Sequence, residues 1–325
     1  MTRTLEAPSF DAIRSARDRI AGIALRTPLL RFTGDTARDI HLKLENLQPI
    51  GSFKLRGAAN AMALAGTDAL AQGVYTASAG NMAQGVAWCA RTLGVRCRVI
   101  VPEHAPKAKT DAIERLGGEV IRVPFEQWWQ TLIDKGASGM DGFFVHPFAD
   151  ADVMAGNGTI ALEIFEDIDD VDAIIVPYGG GGLACGIAAA ARQISPRTNV
   201  YAVEVDTAAP LTASFAAGTP TRVTRMQTFI DGMGSGAVFD EMWPLVQSLL
   251  AGTVVVTVAQ VAAAVKLLAE RCRVVAEGAG AAAVAAALSG AFDGQRVVCI
   301  VSGGNIDLEK LAIILRGDIP SPLSS

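Results

Sequence analysis

The sequence predicts an α/β fold in which parallel strands form sheets that carry helices on both faces. Short apolar, β-branched segments recur along the chain, and they repeatedly meet a glycine-containing turn and then an alanine-rich segment. Five such strand segments are GVYTAS, RCRVIVPE, DAIIVPY, NVYAVEV and RVVCIVS. Repeated strand–turn–helix units are typical of parallel sheets, because the chain must cross a sheet face before it adds the next parallel strand.

The first elements of the chain can be predicted individually. The segment SFDAIRSARDRIAGIA predicts a helix capped by Ser9. Its apolar residues recur at helical spacing, namely Ile13, Ala16, Ile20 and Ile23. Pro28 then prevents helical continuation, and the alternating segment IHLKLEN predicts a strand.

We expect two domains. The chain has 325 residues, which is enough for two ordinary domains. We predict a large domain from residues 1–76 and 150–325 and a small domain from residues 77–149. An inserted domain leaves a cleft beside its host, and ligands bind preferentially in such clefts.

Composition excludes several classes of partner. The net charge is −5 and no basic cluster is present, so neither a nucleic-acid nor an anionic-membrane partner is expected. No run of 18 apolar residues could span a bilayer, and the first twenty residues lack the apolar core of a signal peptide. The five cysteines are scattered without C-x-x-C spacing, which favours free thiols in a reducing cytoplasm.

Three glycine-containing turns follow apolar strands and are each predicted to open a helix. They are GGGGL (Gly179 to Leu183), SAGN (Ser78 to Asn81) and SGGN (Ser302 to Asn305). Helix N-termini carry unpaired N–H groups and attract anions, so GGGGL suits a phosphate and SAGN a carboxylate. The sequence lacks the spacing of a Walker loop or a dinucleotide site. SAGN and SGGN, each taken alone, are equally compatible with ordinary capping, whereas four consecutive glycines favour an anion site over a merely tight turn.

One lysine has apolar neighbours on both sides in the sequence. Lys54 lies between Phe53 and Leu55 in GSFKLRGAAN. A desolvated lysine has a lowered pKa, so that its amine can form a Schiff base. A surface lysine with a buried stem is the alternative. A phosphate cradle, a carboxylate site and such a lysine together are what pyridoxal phosphate requires.

Six ordered motifs resemble the serine/threonine dehydratase and serine racemase family. They are GSFKLRGAAN, SAGNMAQGVA, VHPFADADVMAGNGT, VPYGGGGLACGIA, VAEGAGA and VSGGNID, and the likeness extends from about Thr27 to about Leu315. The resemblance implies a fold-type II pyridoxal-phosphate enzyme, which is tryptophan synthase β-like. That fold has two open twisted sheets covered by helices, with the cofactor in the cleft between the domains.

The resemblance also implies roles for individual residues. Lys54 would be the covalent anchor and the catalytic base. Cofactor contacts would come from Phe53, Asn81, Gly179, Gly180, Gly181, Gly182, Leu183, Glu277 and Ser302. The substrate would be bound by Ser78, Ala79, Gly80, Asn81 and Met82. A homodimer and a small amino-acid substrate are further implications.

The implied reaction converts a β-hydroxy amino acid to a 2-oxo acid and ammonia. By the resemblance Ser302 would hydrogen-bond the pyridine nitrogen, and a hydroxyl in place of a carboxylate would leave that nitrogen largely unprotonated, which would favour prompt β-elimination. Racemases carry a second serine as a base where this chain has Ala79, so racemisation is disfavoured. A racemase or a β-replacement enzyme on the same fold is the alternative.

Three departures from the family pattern bear on substrate and metal. Met82 replaces a usual histidine, and Trp128 and Trp129 lie near a position that is polar or basic in some relatives. If these residues pack in the core, the pocket would suit threonine or serine. If they enlarge an apolar pocket, it would suit a bulky substrate such as phenylserine. Glu204 and Ala208 match two positions of a divalent-cation loop, but Pro210 stands where its acid belongs, so the metal site is left open.

Overall fold

The described residues, 5–34, 36–292 and 294–321 of a computed structural model, alternate between strands and helices. The strands are β1 (Leu29–Arg31), β2 (Asp39–Lys43), β3 (Val74–Ala77), β4 (Cys97–Pro102), β5 (Gly118–Val123), β6 (Phe143–Phe144), β7 (Ala173–Pro177), β8 (Asn199–Val205), β9 (Gly252–Val256) and β10 (Arg296–Ile300). The helices are α1 (Phe10–Arg19), α2 (Lys54–Leu70), α3 (Asn81–Leu93), α4 (Lys107–Arg115), α5 (Phe125–Asp134), α6 (Ala151–Asp167), α7 (Gly182–Ile194), α8 (Pro210–Ala217), α9 (Trp243–Leu249), α10 (Val258–Leu267), α11 (Gly278–Ser289) and α12 (Leu308–Arg316).

The larger sheet has the strand order β1-β2-β10-β7-β8-β9. Strand β1 is antiparallel to β2, and the other neighbours are parallel. Side chains along β7 alternate between two buried apolar clusters: Ile175 belongs to one cluster and Ile174 to the other. Both faces of this sheet are therefore covered, which confirms the predicted parallel α/β class.

The smaller sheet has the order β5-β4-β3-β6, and all its neighbours are parallel. Val99 of β4 lies in a cluster with residues of α2 and α3, whereas Ile100 faces α5 on the opposite side. The structure thus has two sheets, each with helices on both faces, as the resemblance implies.

The predicted domain boundaries stay a prediction. Strand β3 pairs within the smaller sheet although it begins at Val74, three residues before the predicted boundary at residue 77. Helix α2 also packs against both α3 and α6 and so contacts elements on either side of that boundary. In the described chain no helix has the length and apolar character that a membrane crossing requires.

Two local predictions need correction. Ser9 caps α1 by accepting from the Ala12 N–H at 3.1 Å, as predicted, but the helix ends at Arg19, and the following turn contains Gly22 with a φ of +81°. The SGGN turn does not open a helix: α12 begins at Leu308 and is capped by Asp307. Ser302 to Asn305 instead face the loop before α2, since Gly303 pairs with Ser52 and Gly304 donates to the Gly51 carbonyl.

Candidate active site

Lys54 is the first residue of α2 and is held next to the end of β10. The Phe53 N–H donates to the Ser302 carbonyl at 3.0 Å, which fixes the loop directly before the lysine. The Lys54 Nζ donates to the Pro147 carbonyl at 2.6 Å and has no carboxylate partner in the described chain. Burial lowers the pKa of this amine to about 8. The amine can therefore lose its proton near neutral pH, as a nucleophile or a base must.

A glycine cradle, residues 179–182, lies between β7 and α7. Gly181 has a φ of +91°, which favours glycine. A Cβ at Gly180 would lie 2.2 Å from the Phe148 ring, and one at Gly182 would lie 2.5 Å from the Phe148 carbonyl oxygen. The cradle cannot accommodate side chains at these positions. Its N–H groups, together with the positive end of the α7 dipole, form a site for an anion such as phosphate.

A second group of polar side chains lies at the end of β10. Ser302 is only 3 % exposed, and its hydroxyl has no hydrogen-bond partner among the described residues. Asn81 donates to Glu277 Oε1 at 2.9 Å, and its own oxygen accepts from Asn305 at 2.8 Å. The Asn81 amide is thereby fixed at the start of α3, while the Ser302 hydroxyl is available to a ligand.

Glu277 is a buried carboxyl group at the N-terminus of α11. Burial, reinforced by the nearby charge of Asp231, raises its pKa to about 8, although the Asn81 hydrogen bond and Lys109 oppose the shift. Lys109 forms an ion pair of 2.8 Å with Asp231. Near neutral pH Glu277 is therefore mostly protonated and uncharged.

Replacing Glu277 by glutamine should remove a pH dependence of stability. Because the folded-state pKa lies above the ordinary value of 4.5, Glu277 favours folding most below pH 4.5, and this contribution declines as the pH rises toward 8. Glutamine cannot ionise and still accepts from Asn81. We expect the free energy of unfolding of E277Q, relative to that of the wild type, to increase from about pH 5 to pH 8. Denaturant titration at equal cofactor concentration measures both values. Parallel pH profiles for the two proteins would contradict this expectation.

The SAGN turn connects β3 with α3. Ser78 Oγ accepts from the Gly80 N–H at 3.2 Å, and Gly80 precedes the first residue of α3. The first N–H groups of this 13-residue helix are available to an anion, as the prediction of a carboxylate site requires. Ala79 packs partly against the small-sheet core. Met82 is 1 % exposed within the same cluster, so its side chain contributes to packing, and its predicted contact with substrate stays a prediction.

Direct contacts bring the predicted residues into one site. Phe148 follows Pro147, the residue that binds Lys54, and covers the glycine cradle. A Cβ at Gly179 would lie 3.7 Å from the carbonyl oxygen of Gly232, and one at Gly232 would lie 3.2 Å from Glu277 Oε1. A Cβ at Gly303, beside Ser302, would lie 2.4 Å from the same Glu277 atom. The lysine, the cradle, Ser302 and the start of α3 are thus linked to one another through Phe148, Gly232 and Glu277.

Aromatic rings extend from Phe148, beside the glycine cradle, to α5. The Phe148 ring packs on Phe239 with 4.8 Å between centroids, and Phe239 packs on Trp129 at 5.2 Å. Trp128 adjoins Trp129 at 6.2 Å. The sequence analysis identified the two tryptophans but missed Phe148 and Phe239. Phe148 lies within a quoted motif, whereas no pattern in the sequence indicated Phe239.

Sequence reasoning also missed Arg56, two residues after the lysine. Its guanidinium donates to both oxygens of Glu45 at 2.8 Å and to those of Glu163 at 2.6 and 2.8 Å. Lys43 forms a further ion pair of 2.6 Å with Glu163. Burial alone would raise the pKa of Glu45, but the charge and hydrogen bonds of Arg56 hold it below its usual range. We call these four buried residues the charge quartet.

The residues considered for a divalent cation do not fit one. Both oxygens of Glu204 are already bonded within the protein: they accept from the N–H of Leu211 at 2.8 Å and from Thr212 at 2.7 Å. Glu204 thus caps the start of α8, where Pro210 is the first residue, and Ala208 precedes that helix. The described residues contain no group of three His, Cys, Asp or Glu side chains that could hold a metal ion.

The remaining residues do fit pyridoxal phosphate. Gly180 and Gly182 of the cradle leave no room for a side chain. Ser302, a buried residue, presents a hydroxyl without a partner among the described residues, and Lys54 presents an amine with a lowered pKa. These features, at the strand ends of an α/β fold with two sheets, define a fold-type II pyridoxal-phosphate enzyme.

Comparisons with known proteins agree with this class. Residues 20–303 match the family described as pyridoxal-phosphate dependent enzyme. The chain is 37 % identical to L-threonine ammonia-lyase of Thermotoga maritima, over 96 % of this chain and 80 % of that protein. It is 36 % identical to catabolic L-threonine dehydratase TdcB of Staphylococcus aureus, over 97 % and 94 % of the two chains. The structure of maize serine racemase superimposes with a TM-score of 0.87 at 33 % identity, covering 94 % of this chain and 96 % of that one.

The chain therefore belongs to the pyridoxal-phosphate dependent enzyme family. The match spans both sheets and includes Lys54, the glycine cradle and Ser302. The resemblance that the six motifs carry is confirmed.

Proposed function

We propose that this enzyme is an ammonia-lyase that converts a β-hydroxy amino acid to a 2-oxo acid and ammonia. The observation that carries the proposal is Lys54, a buried amine with a lowered pKa that is hydrogen-bonded to a neutral carbonyl. Relatives named L-threonine ammonia-lyase and L-threonine dehydratase, at 36–37 % identity over nearly the whole chain, support the reaction type.

The residues would divide the binding between them. The N–H groups of Gly179 to Leu183 would hold the cofactor phosphate, and Phe53 would pack on its ring. Ser302 would face the pyridine nitrogen, and Asn81, fixed by Glu277, would face the ring hydroxyl. Ser78, Ala79 and Gly80 at the start of α3 would hold the substrate carboxylate. Lys54 would hold the cofactor covalently until a substrate amine displaces it.

Lys54 would also move the proton on which the reaction depends. Once displaced, its neutral amine removes the proton from the substrate Cα. Pyridoxal phosphate, when bound, supplies an electron sink for the pair of electrons left at Cα. The bond from Cβ to the hydroxyl oxygen would then break, and the hydroxyl would leave as water with the proton that Lys54 took from Cα. One water returns on hydrolysis of the carbon–nitrogen bond, so the net products are a 2-oxo acid and ammonia.

Ala79 distinguishes this reaction from racemisation. Its methyl group cannot donate or accept a proton, so we propose no second base at this position. A racemase or a β-replacement enzyme stays the alternative function. The maize neighbour named serine racemase is compatible with it at the level of the fold.

Product analysis tests the proposed function. The holoenzyme is incubated with L-serine, L-threonine and L-threo-phenylserine, and 2-oxo acid, ammonia and the chirality of the remaining substrate are measured. We expect equal amounts of 2-oxo acid and ammonia from at least one substrate, and no D-enantiomer. Release of D-amino acid without ammonia would favour the racemase, and inert substrates would refute the lyase.

We also propose that the enzyme acts in the cytoplasm as a homodimer. The five cysteines are free, and four of them are buried, which is compatible with a reducing compartment. Light scattering of the purified holoenzyme tests the dimer, since a mass near one chain would contradict it.

A further inference from the structure

We propose that the substrate carries an aryl group on Cβ, and that this group lies against an aromatic wall formed by Phe148, Phe239 and Trp129. The inference rests on the proposed function, because it names the substrate class of the same site.

The aromatic wall begins at the reactive lysine. Phe148 directly follows Pro147, whose carbonyl accepts from Lys54 Nζ at 2.6 Å. Its ring lies over Gly180 of the cradle. Phe239 packs on that ring at 4.8 Å with an interplanar angle of 81°, and Trp129 packs on Phe239 at 5.2 Å and 53°. A substrate side chain that extends from Cβ toward this side would therefore contact the aromatic rings in turn.

The packing of the aromatic wall differs from that of a core. All three rings are only partly buried, although they stand beside two extensively buried clusters. The indole N–H of the neighbouring Trp128 is buried and finds no hydrogen-bond acceptor in the described part of the chain. Buried polar groups are nearly always paired in an optimised interior. These residues retain apolar surface that a ring-bearing ligand can cover.

Among the described residues, the surroundings of the aromatic wall offer no unpaired cation for a charged substituent. Two lysines reach the segment that carries Phe239, and both are already paired: Lys109 with Asp231 at 2.8 Å and Lys135 with Glu241 at 2.7 Å. His146, which packs edge-on to Phe148, accepts at Nδ1 from the N–H of Ala149 and has a pKa lowered by burial to about 3. The wall is therefore apolar and uncharged, so an aryl group suits it better than a second carboxylate.

The test compares the two substrates in matched variants. We expect the wild-type kcat/KM to be at least about tenfold higher for L-threo-phenylserine than for L-threonine, since aromatic pairs favour ring-on-ring contact beyond simple burial. F239L and W129L keep an apolar side chain but remove the aromatic ring, and we expect each to lose about tenfold on phenylserine and less than about twofold on threonine. F215L is the control: Phe215 is also partly buried and packs on Trp243 at 5.5 Å, outside the wall. It should change neither value.

Binding of non-reactive amino acids separates this inference from the proposed function. L-phenylalanine and L-alanine lack a β-hydroxyl and cannot eliminate, so calorimetry on the holoenzyme reports binding alone. We expect L-phenylalanine to bind at least about tenfold more tightly than L-alanine, and F239L to abolish the difference. Preference for threonine, or equal losses on both substrates, would overturn the aromatic wall. If no substrate releases 2-oxo acid, the lyase fails, and equal binding of the two non-reactive amino acids would then overturn the wall as well.

Discussion

Lys54→Ala should reduce 2-oxo acid release by at least about 10³-fold, because the variant loses both the covalent anchor and the base. Lys54→Arg should be equally inactive, since a guanidinium stays protonated at any pH the protein tolerates. Both variants should fold, because the amine contacts a single carbonyl, that of Pro147. The measurements are kcat and the visible absorbance of the bound cofactor.

Lys135→Ala is a suitable control for the cofactor signal. This lysine pairs with Glu241 at 2.7 Å, and we assign it no part in the chemistry. It should keep the absorbance band that both Lys54 variants lose. Turnover by Lys54→Ala within tenfold of the wild type would remove the lysine from the mechanism.

Arg56→Met should destabilise the protein by about 3–5 kcal/mol, the usual cost of removing one partner from a buried ion pair. The substitution preserves apolar bulk but leaves the carboxylates of Glu45 and Glu163 buried beside the single cation of Lys43. Denaturant unfolding of the holoenzyme gives the free energy.

A surface ion pair provides the matched comparison. Arg96 bonds Glu119 at 2.6 Å, with 62 % and 52 % of the two side chains exposed. Arg96→Met should change the free energy of unfolding by less than about 1 kcal/mol. Adding E45Q and E163Q to Arg56→Met should recover part of the loss, because the uncompensated charges are removed. Similar costs for the two arginines would mean that burial of the quartet is energetically unimportant.

Much of the fold could be predicted because its signals are local. Strands β7, β8 and β10 in the interior of the larger sheet are short segments rich in β-branched residues, and Gly180 and Gly182 after β7 mark a turn that leaves no room for a side chain. Strand pairing could not be predicted in the same way. Strand β10 inserts between β2 and β7, and nothing near Val298 in the sequence specifies those neighbours.

The site was predictable where residues act through motifs and not where they act through distant contacts. Lys54 and Gly179 to Leu183 were identified from their own surroundings in the sequence. Phe239 meets Phe148 across 91 positions of the chain, and Glu163 meets Arg56 across 107. The prediction that the SGGN turn opens a helix was wrong for a related reason. Its residues are hydrogen-bonded to the loop at Gly51, and Asp307 caps the next helix.

The charge quartet has a consequence for how this sequence can change over time. Lys43, Glu45, Arg56 and Glu163 sum to zero charge, and each is buried. Any single neutral replacement leaves an odd, desolvated charge, whereas a joint replacement by apolar residues can be harmless. Replacing the four residues one at a time would pass through unstable variants. We therefore expect the four residues to be kept together or replaced together during evolution. Lys54 and Arg56 in GSFKLRG thus occupy neighbouring positions for unrelated reasons. Lys54 is needed for the reaction, whereas Arg56 is retained because it cannot be replaced without its three partners.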